Sequence, residues 1–491
     1  MKHAPFIEKT HEMPNLSVHH NPFLAFGVEV DFRNSVIPGR LERLYPHASA
    51  MGCTTLFVPV LWSQVEQAPG RFDFSFVDRQ LELAARHGLK LGLLWFGSNR
   101  GGSMCFPNLP GTDGKPASAT LQVPPHVFAD RARHRRACRA DGGPADSLCP
   151  TSEATLDRER IAFRSFMRHL SRADADRTVV LIQVENEVST PETGHLQFAD
   201  RCFCPVCTDR HARSGLTDRE FGDQSYGDFV AALVEAGAAE HPLPFYVNFV
   251  STPRPGENIA YYLARSPHLA SCAPDIYAGD TASFRRTLRS FAAGRNVPLV
   301  AETSSDTKDP SDRTVWYAVC EGGAVGFVLW AVDCAYGLGA WEDGYAHRTP
   351  LVGPDGSWSA QAFRIRDEFS VLARVMGPLC RHRGTDRLQW FVAEGAPLSL
   401  PVTLPGMSGT IEVAADGRGL VVLTGPGDVT LAGHGFKASF DNLAPAAATS
   451  GRWSGREFVP DGGPVKLTAE ETSVRISLAS PGVVRVHPDR V

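Results

Sequence analysis

Two short stretches carry carboxylates where an apolar run stops. Val179-Val-Leu-Ile-Gln-Val184 leads into Glu185-Asn186-Glu187, and Pro298-Leu-Val-Ala leads into Glu302. Runs this apolar are buried strands, so the charged group that follows must emerge where strand meets loop. Two carboxylates from different strands at one such edge suit glycoside hydrolysis: one acid protonates the leaving oxygen while the other attacks the sugar or activates water. Side chains alternate along a strand, so Glu185 and Glu187 would share one side of an ideal strand, and periodicity does not choose between them. A single strand-end acid can simply face solvent or cap the next helix; a pair in the same register favours the chemical reading.

A second constellation is Cys202-Phe-Cys204-Pro-Val-Cys207, three of the eleven cysteines on one tight turn. In a large intracellular chain such clustering reads as metal ligation rather than as a disulfide framework. Thiolates at this spacing can share one tetrahedral zinc if a fourth ligand arrives, and Cys149, Cys138 and Cys105 lie upstream. A four-cysteine site is closed, so zinc there would be structural and would pin the long loops near the active site. The bland alternative is three free thiols in a loop.

Both constellations need elements to position them. From about Phe23 to about Met376, apolar or β-branched runs alternate with amphipathic helical patterns. The runs are Phe23–Val30, Thr55–Val60, Lys90–Phe96, Thr178–Val184, Phe245–Val250, Pro274–Ala278, Pro298–Glu302 and Phe327–Val332. Between them, Phe76–Leu89 sets Val77, Leu81, Ala84 and Ala85 on one face, and Phe163, Phe166, Met167 and Leu170 recur at helical spacing. Eight strands so arranged predict an α/β fold, a (β/α)8 TIM barrel. A doubly wound sheet is the rival, but no Gly-rich phosphate loop follows the first strand. Gly97–Pro150 reads as loops over the barrel mouth. Beyond Pro378 the pattern changes to short alternating strands such as Gly409–Val413, Gly419–Leu423, Ser473–Leu478 and Val483–Val486, a smaller all-β, sandwich-like domain. The expected division is an N-terminal extension (1–22), the catalytic barrel (23–376), a linker (377–387) and the C-terminal β domain (388–491).

Bulk properties fit this reading. A chain of 491 residues exceeds one ordinary core, which calls for a large domain and a smaller one. A formal net charge of −5 argues against a nucleic-acid or anionic-membrane partner. No apolar run reaches the roughly 18–20 residues of a bilayer span. Met1–His20 is polar and broken by prolines, without the apolar core of a secretory signal, so the expected compartment is the cytoplasm.

The stretch Val58-Pro-Val-Leu-Trp62-Ser-Gln-Val-Glu66-Gln-Ala-Pro-Gly70-Arg-Phe72-Asp73-Phe74 resembles the second-strand signature of clan A β-galactosidases, families 35 and 42. Gln183-Val-Glu-Asn186-Glu187 is similar to the clan's fourth-strand motif, in which Asn precedes the acid/base Glu, and so selects Glu187 over Glu185. Glu302 falls where the clan carries its nucleophile, Ala273-Pro-Asp-Ile-Tyr277 resembles the sixth strand whose Tyr touches that nucleophile, and Trp330 matches the aromatic that floors the sugar site. The resemblance covers the whole barrel. It implies a retaining, exo-acting β-glycosidase with a β-galactoside as first-choice substrate and no cofactor for catalysis. Asn186 would bond the sugar 2-hydroxyl. The cysteine spacing is that of family 42, where an upstream cysteine completes a structural zinc site; Cys149 stands at the matching place. Family 42 also implies a homo-oligomer.

Other residues are candidates on position alone. Arg33 and Asn34 follow strand one, and Asn248 ends strand five; each could reach a sugar or serve its own loop. Trp62 and Trp95 could stack on substrate, though aromatics on barrel strands are more often core. Trp341-Glu342-Asp343 could line the pocket from a loop. Glu302-Thr-Ser-Ser-Asp306 lacks the aromatic surroundings common in family 35, whereas Ser98-Asn-Arg-Gly-Gly resembles a bacterial branch of that family. Rival readings are the same machinery on a β-glucoside, β-glucosaminide or arabinoside, a silent carbohydrate-binding barrel, and a metal-dependent hydrolase.

Overall fold

The computed structural model describes residues 4–8, 13–32, 39, 41–98, 122–188, 201–250, 255–330, 332 and 351–488, apart from positions 293, 307, 354, 442, 444–445, 464 and 471–472. Eight parallel strands form one sheet: β1 (Ala25–Glu29), β2 (Thr55–Leu61), β3 (Lys90–Phe96), β4 (Val179–Val184), β5 (Phe245–Val250), β6 (Leu269–Ile276), β7 (Glu302–Thr303) and β8 (Gly326–Leu329). From β1 to β7 each strand pairs with its sequence neighbours, and β8 pairs with β1. The circle closes just before β7, where Val300 bridges Phe327 and its amide donates to Gly326 O at 3.1 Å.

A helix follows every strand: α1 (Leu44–Ala50), α2 (Ser75–His87), α3 (Glu153–Ala173), α4 (Asp218–Ala238), α5 (Pro255–Arg265), α6 (Thr281–Ser290), α7 (Ser311–Trp316, continued by a π turn over Tyr317–Glu321) and α8 (Ala360–His382). The starts are locally encoded. Thr217 caps α4 in a reciprocal box with Glu220, and the Asp280 and Ser359 side chains take the Ser283 and Ala362 amides of α6 and α8.

Two apolar layers result. The inner one fills the barrel with Phe57, Leu94, Val180, Tyr246, Ala273 and Val328; the outer one packs strands against helices through Phe163, Phe166, Leu233 and Phe369. Large and small residues alternate across the interior: a Cβ at Gly92 would stand 2.4 Å from the Phe57 ring, so only glycine admits that ring. Leu16 and Val18, from the hairpin Asn15–Val18/Asn21–Phe23, join the inner layer and close the end where the strands begin.

The C-terminal region is all β. Two long strands, Gly409–Gly425 and Asp428–Phe440, pair along their length, and each half carries a different outer partner. Gly409–Val413 and Gly419–Leu423, expected as separate strands, therefore belong to one; the ladder shifts register between Val413 and Arg418 instead of turning back. The sheet wraps a core of its own that includes Phe391, Ile411, Val421, Leu431, Phe436 and Ile476.

A buried ionic knot ties this region to the barrel. Arg418 Nε donates to Glu368 Oε1 of α8 at 2.8 Å and its Nη2 to Asp312 of α7 at 2.7 Å, while Trp316 Nε1 donates to Glu368 Oε2 at 2.7 Å. Burial works to raise the Glu368 pKa, but the His434 hydrogen bond and the Arg418 guanidinium hold it below the ordinary value. No helix among the described residues is long and apolar enough to cross a membrane.

Candidate active site

Glu187 and Glu302 converge as the strand-end argument requires. Both stand at the C-terminal edge of the barrel and are buried, and a third acid, Asp275, stands with them from the end of β6. One carboxylate oxygen from each of the three lies within 4.8 Å of the other two.

The expectation for the end of β4 needs correcting. Glu185 and Glu187 do not continue an ideal strand: β4 ends at Val184, and both residues have left-handed backbone, with φ of 64° and 48°. The turn gives the two side chains different neighbours. Glu185 takes the Ser98 amide at 3.1 Å behind the strand, whereas Glu187 stands with Asp275 and Glu302. Non-glycine residues at positive φ cost on the order of 1–3 kcal/mol each and persist where surrounding structure over-determines them.

Asn248, at the end of β5, is the main strut. Its Oδ1 accepts the Glu187 amide at 2.8 Å, and its Nδ2 faces Asn186 Oδ1, Asp275 Oδ2 and Glu302 Oε1, each at 3.1 Å. Gln183 Nε2 adds a second donor to Asn186 Oδ1 at 2.9 Å. The Tyr277 hydroxyl donates to Glu302 Oε2 in a short hydrogen bond. Trp330 stands edge-to-face with Tyr277, ring centroids 6.5 Å apart. The Tyr277 ring is 37% exposed at the mouth, so it reaches solvent and the buried carboxylate together.

Other candidates fall elsewhere. Trp62 and Trp95 are fully buried, their indole N–H groups donating to Glu66 at 2.9 Å and Glu159 at 2.8 Å; they are core. Arg33, Asn34 and the segment Trp341-Glu342-Asp343 lie outside the described residues.

Residues missed from sequence include Asp275, which obeys the same rule as Glu187 and Glu302, a carboxylate closing an apolar strand. Glu29 and Asp31, both buried at the end of β1, follow the same rule. Glu159 left a different signal: it sits three and four positions before Ala162 and Phe163, on the apolar face of its helix.

The cysteines assemble as well. One Sγ from each of Cys149, Cys202, Cys204 and Cys207 lies within 4.8 Å of the others, and all four side chains are buried. The Cys149 sulfur is 3.8 Å from that of Cys204 and 3.4 Å from that of Cys207. Four thiolates around one zinc at about 2.3 Å would stand roughly 3.8 Å apart, so the donors and their spacing fit a tetrahedral ion. The Cys138 amide donates to Cys202 Sγ at 3.4 Å, placing Cys138 behind the cluster; Cys105 lies outside the described residues. The cluster could hold a metal ion, and such a closed set leaves no position for substrate.

Known structures share this architecture. A family 42 β-galactosidase from G. stearothermophilus is 13% identical, with a TM-score of 0.54 over 76% of this chain and 58% of that one. The β-galactosidase from Rahnella sp. R3 is 14% identical, with a TM-score of 0.52 over 80% and 59%. That from Bacillus circulans sp. alkalophilus is 12% identical, with a TM-score of 0.51 over 71% and 56%. The fold is the one these glycoside hydrolases carry. The chain spans less than two thirds of the length of each. No family model matches the sequence, and no curated protein does.

Proposed function

We propose that the chain is a retaining, exo-acting β-glycosidase in which Glu302 is the nucleophile and Glu187 the acid/base. The observation that carries the reading is the carboxylate pair: oxygens of Glu187 and Glu302 within 4.8 Å. Retaining enzymes hold the groups about 5–5.5 Å apart, whereas inverting ones leave about 6.5–9.5 Å for a water.

In this mechanism Glu302 attacks the anomeric carbon as Glu187 protonates the departing oxygen. Glu187 then takes a proton from the water that releases the sugar. Two donors, the Tyr277 hydroxyl and Asn248 Nδ2, stabilise the Glu302 carboxylate and aim it. Asn186, its Oδ1 held by Gln183 and Asn248, is oriented for the sugar 2-hydroxyl, and Trp330 beside Tyr277 supplies an apolar floor. A β-galactoside is the first substrate to try, the activity that the three fold neighbours carry by name. We assign the cysteine cluster a structural zinc, with no part in the chemistry.

The test is a panel of nitrophenyl glycosides varied in sugar and anomeric linkage, assayed with wild type, Glu187→Gln and Glu302→Gln. Activity on one β-linked sugar should fall by at least about 100-fold in both variants, and azide should partly restore Glu187→Gln on an activated substrate. Full activity in both variants would remove these carboxylates from the mechanism. An α-configured first product would overturn retention.

A further inference from the structure

Behind the turn at the end of β4 lies a second carboxyl pair that the reaction above does not use. Glu159 of α3 is 0% exposed and Glu185 is 1% exposed, and their side chains hydrogen-bond to each other. Trp95 Nε1–H donates to Glu159 Oε1 at 2.8 Å. The Ser98 amide divides between Glu159 Oε2 at 3.2 Å and Glu185 Oε1 at 3.1 Å. The chain makes room for this meeting: a Cβ at Gly97 would stand 1.8 Å from Glu159 Oε1 and 2.6 Å from Glu185 Oε1.

Two carboxyl groups in contact inside a protein do not both ionise. Burial pushes the Glu159 carboxyl up, the direction that a proton shared within such a pair requires. The pair is also one of two anchors of a strained turn. Asn248 fixes the far end through the Glu187 amide, and the Glu185 side chain fixes the near end against β3 and α3.

We propose that Glu159 is a positioning residue: through a proton shared with Glu185 it holds the 185–187 turn in its left-handed conformation and so sets where the Glu187 carboxyl stands. The inference rests on the acid/base role given to Glu187 above.

A glutamine at 159 can reproduce the protonated acid. Its oxygen accepts from Trp95 and its amide donates to Glu185, while the Ser98 amide keeps Glu185 as acceptor. Alanine cannot. The experiment compares wild type, Glu159→Gln, Glu159→Ala and Glu187→Ala on two substrates of the same sugar: an alkyl glycoside, whose leaving group needs an acid, and a dinitrophenyl glycoside, whose leaving group does not. Misplacement by about an ångström can cost about 100-fold, so Glu159→Ala should lose roughly that in kcat/KM on the alkyl glycoside and no more than about threefold in kcat/KM on the activated one, because kcat/KM reports only the step in which the leaving group departs. Glu159→Gln should stay within about threefold of wild type on both.

Equal loss on both substrates in Glu159→Ala, with Glu187→Ala still selective, would overturn the positioning role and leave the glycosidase reading intact. Loss of selectivity in Glu187→Ala would sink both. The shared proton has its own readout, independent of activity. The infrared spectrum at neutral pH should contain a protonated-carboxyl stretch that disappears in both Glu159→Gln and Glu185→Gln; its absence from wild type would overturn the proposal.

Discussion

Replacing Asn248 with alanine tests whether one side chain sets the geometry of both acids proposed for catalysis. Its Oδ1 takes the amide of Glu187, a residue at φ 48°, and its Nδ2 donates among Asn186, Asp275 and Glu302 at 3.1 Å. Two hydrogens on that nitrogen serve two acceptors at a time, and Asn186 has a second donor in Gln183, so the carboxylates lose most. A hydrogen bond to a charged group contributes about 1.5–3 kcal/mol, and the Glu187 amide bond about 1 kcal/mol more. A transition-state loss of about 2.5–4 kcal/mol corresponds to a fall in kcat/KM of about 70- to 900-fold. The assay is kcat/KM on the best nitrophenyl glycoside, with circular dichroism to confirm folding. A folded Asn248→Ala enzyme within about threefold of wild type would refute the reasoning.

Two further predictions concern stability. A strong chelator, or Cys207→Ser, should release zinc measurable by atomic emission and lower the midpoint of thermal unfolding; activity should decay at the rate of unfolding rather than stop on mixing. Arg418→Leu leaves Glu368 and Asp312 buried without their cation, which should cost about 3–5 kcal/mol of stability, read in urea unfolding. Because the folded Glu368 pKa lies below its ordinary value, wild type should hold its advantage over Arg418→Leu above the ordinary carboxylate pKa and lose it as pH falls through the depressed one. A gap between the two proteins that is independent of pH would contradict the assignment.

Some of this architecture is legible in the chain and some is not. The strands Lys90–Phe96 and Phe245–Val250 coincide with their apolar runs because a parallel barrel buries both faces of a strand. β6 starts at Leu269, five residues before the Pro274–Ala278 run expected from sequence, because Ser271 and Cys272 are satisfied inside by Val297 O and Asn296 Oδ1. Such partners lie across the fold and leave no local trace. β7 is two residues long, Glu302–Thr303, so the acid that ends the apolar run opens the paired strand. Glu185 is the clearest failure of periodicity. Alternation set it beside Glu187, but left-handed backbone at both positions separates them, and backbone handedness at a non-glycine residue is fixed by tertiary contacts rather than by residue type. The hub role of Asn248 was equally invisible, since the four groups it meets come from β4, β6 and β7.

The cysteine cluster and the 185–187 turn are linked through the same pair of helices, α3 and α4. Cys149 lies just before Ser152 and α3, while Cys204 and Cys207 bracket the start of the helix Pro205–Ser214, which leads to α4. A metal held by all four cysteines would therefore fasten the approaches to α3 and α4, which pack against each other beside β4. Those two helices carry Glu159, which shares the Ser98 amide with Glu185, and the buried Tyr226. Long excursions from a barrel mouth are ordinarily its least stable parts, because they bury little apolar surface. Here the approaches to α3 and α4 meet at the four cysteines, and α3 carries a buried carboxyl behind a strained turn. A metal bound by the four cysteines would help keep α3 and α4 in register behind the left-handed 185–187 turn, a role that needs no position for substrate.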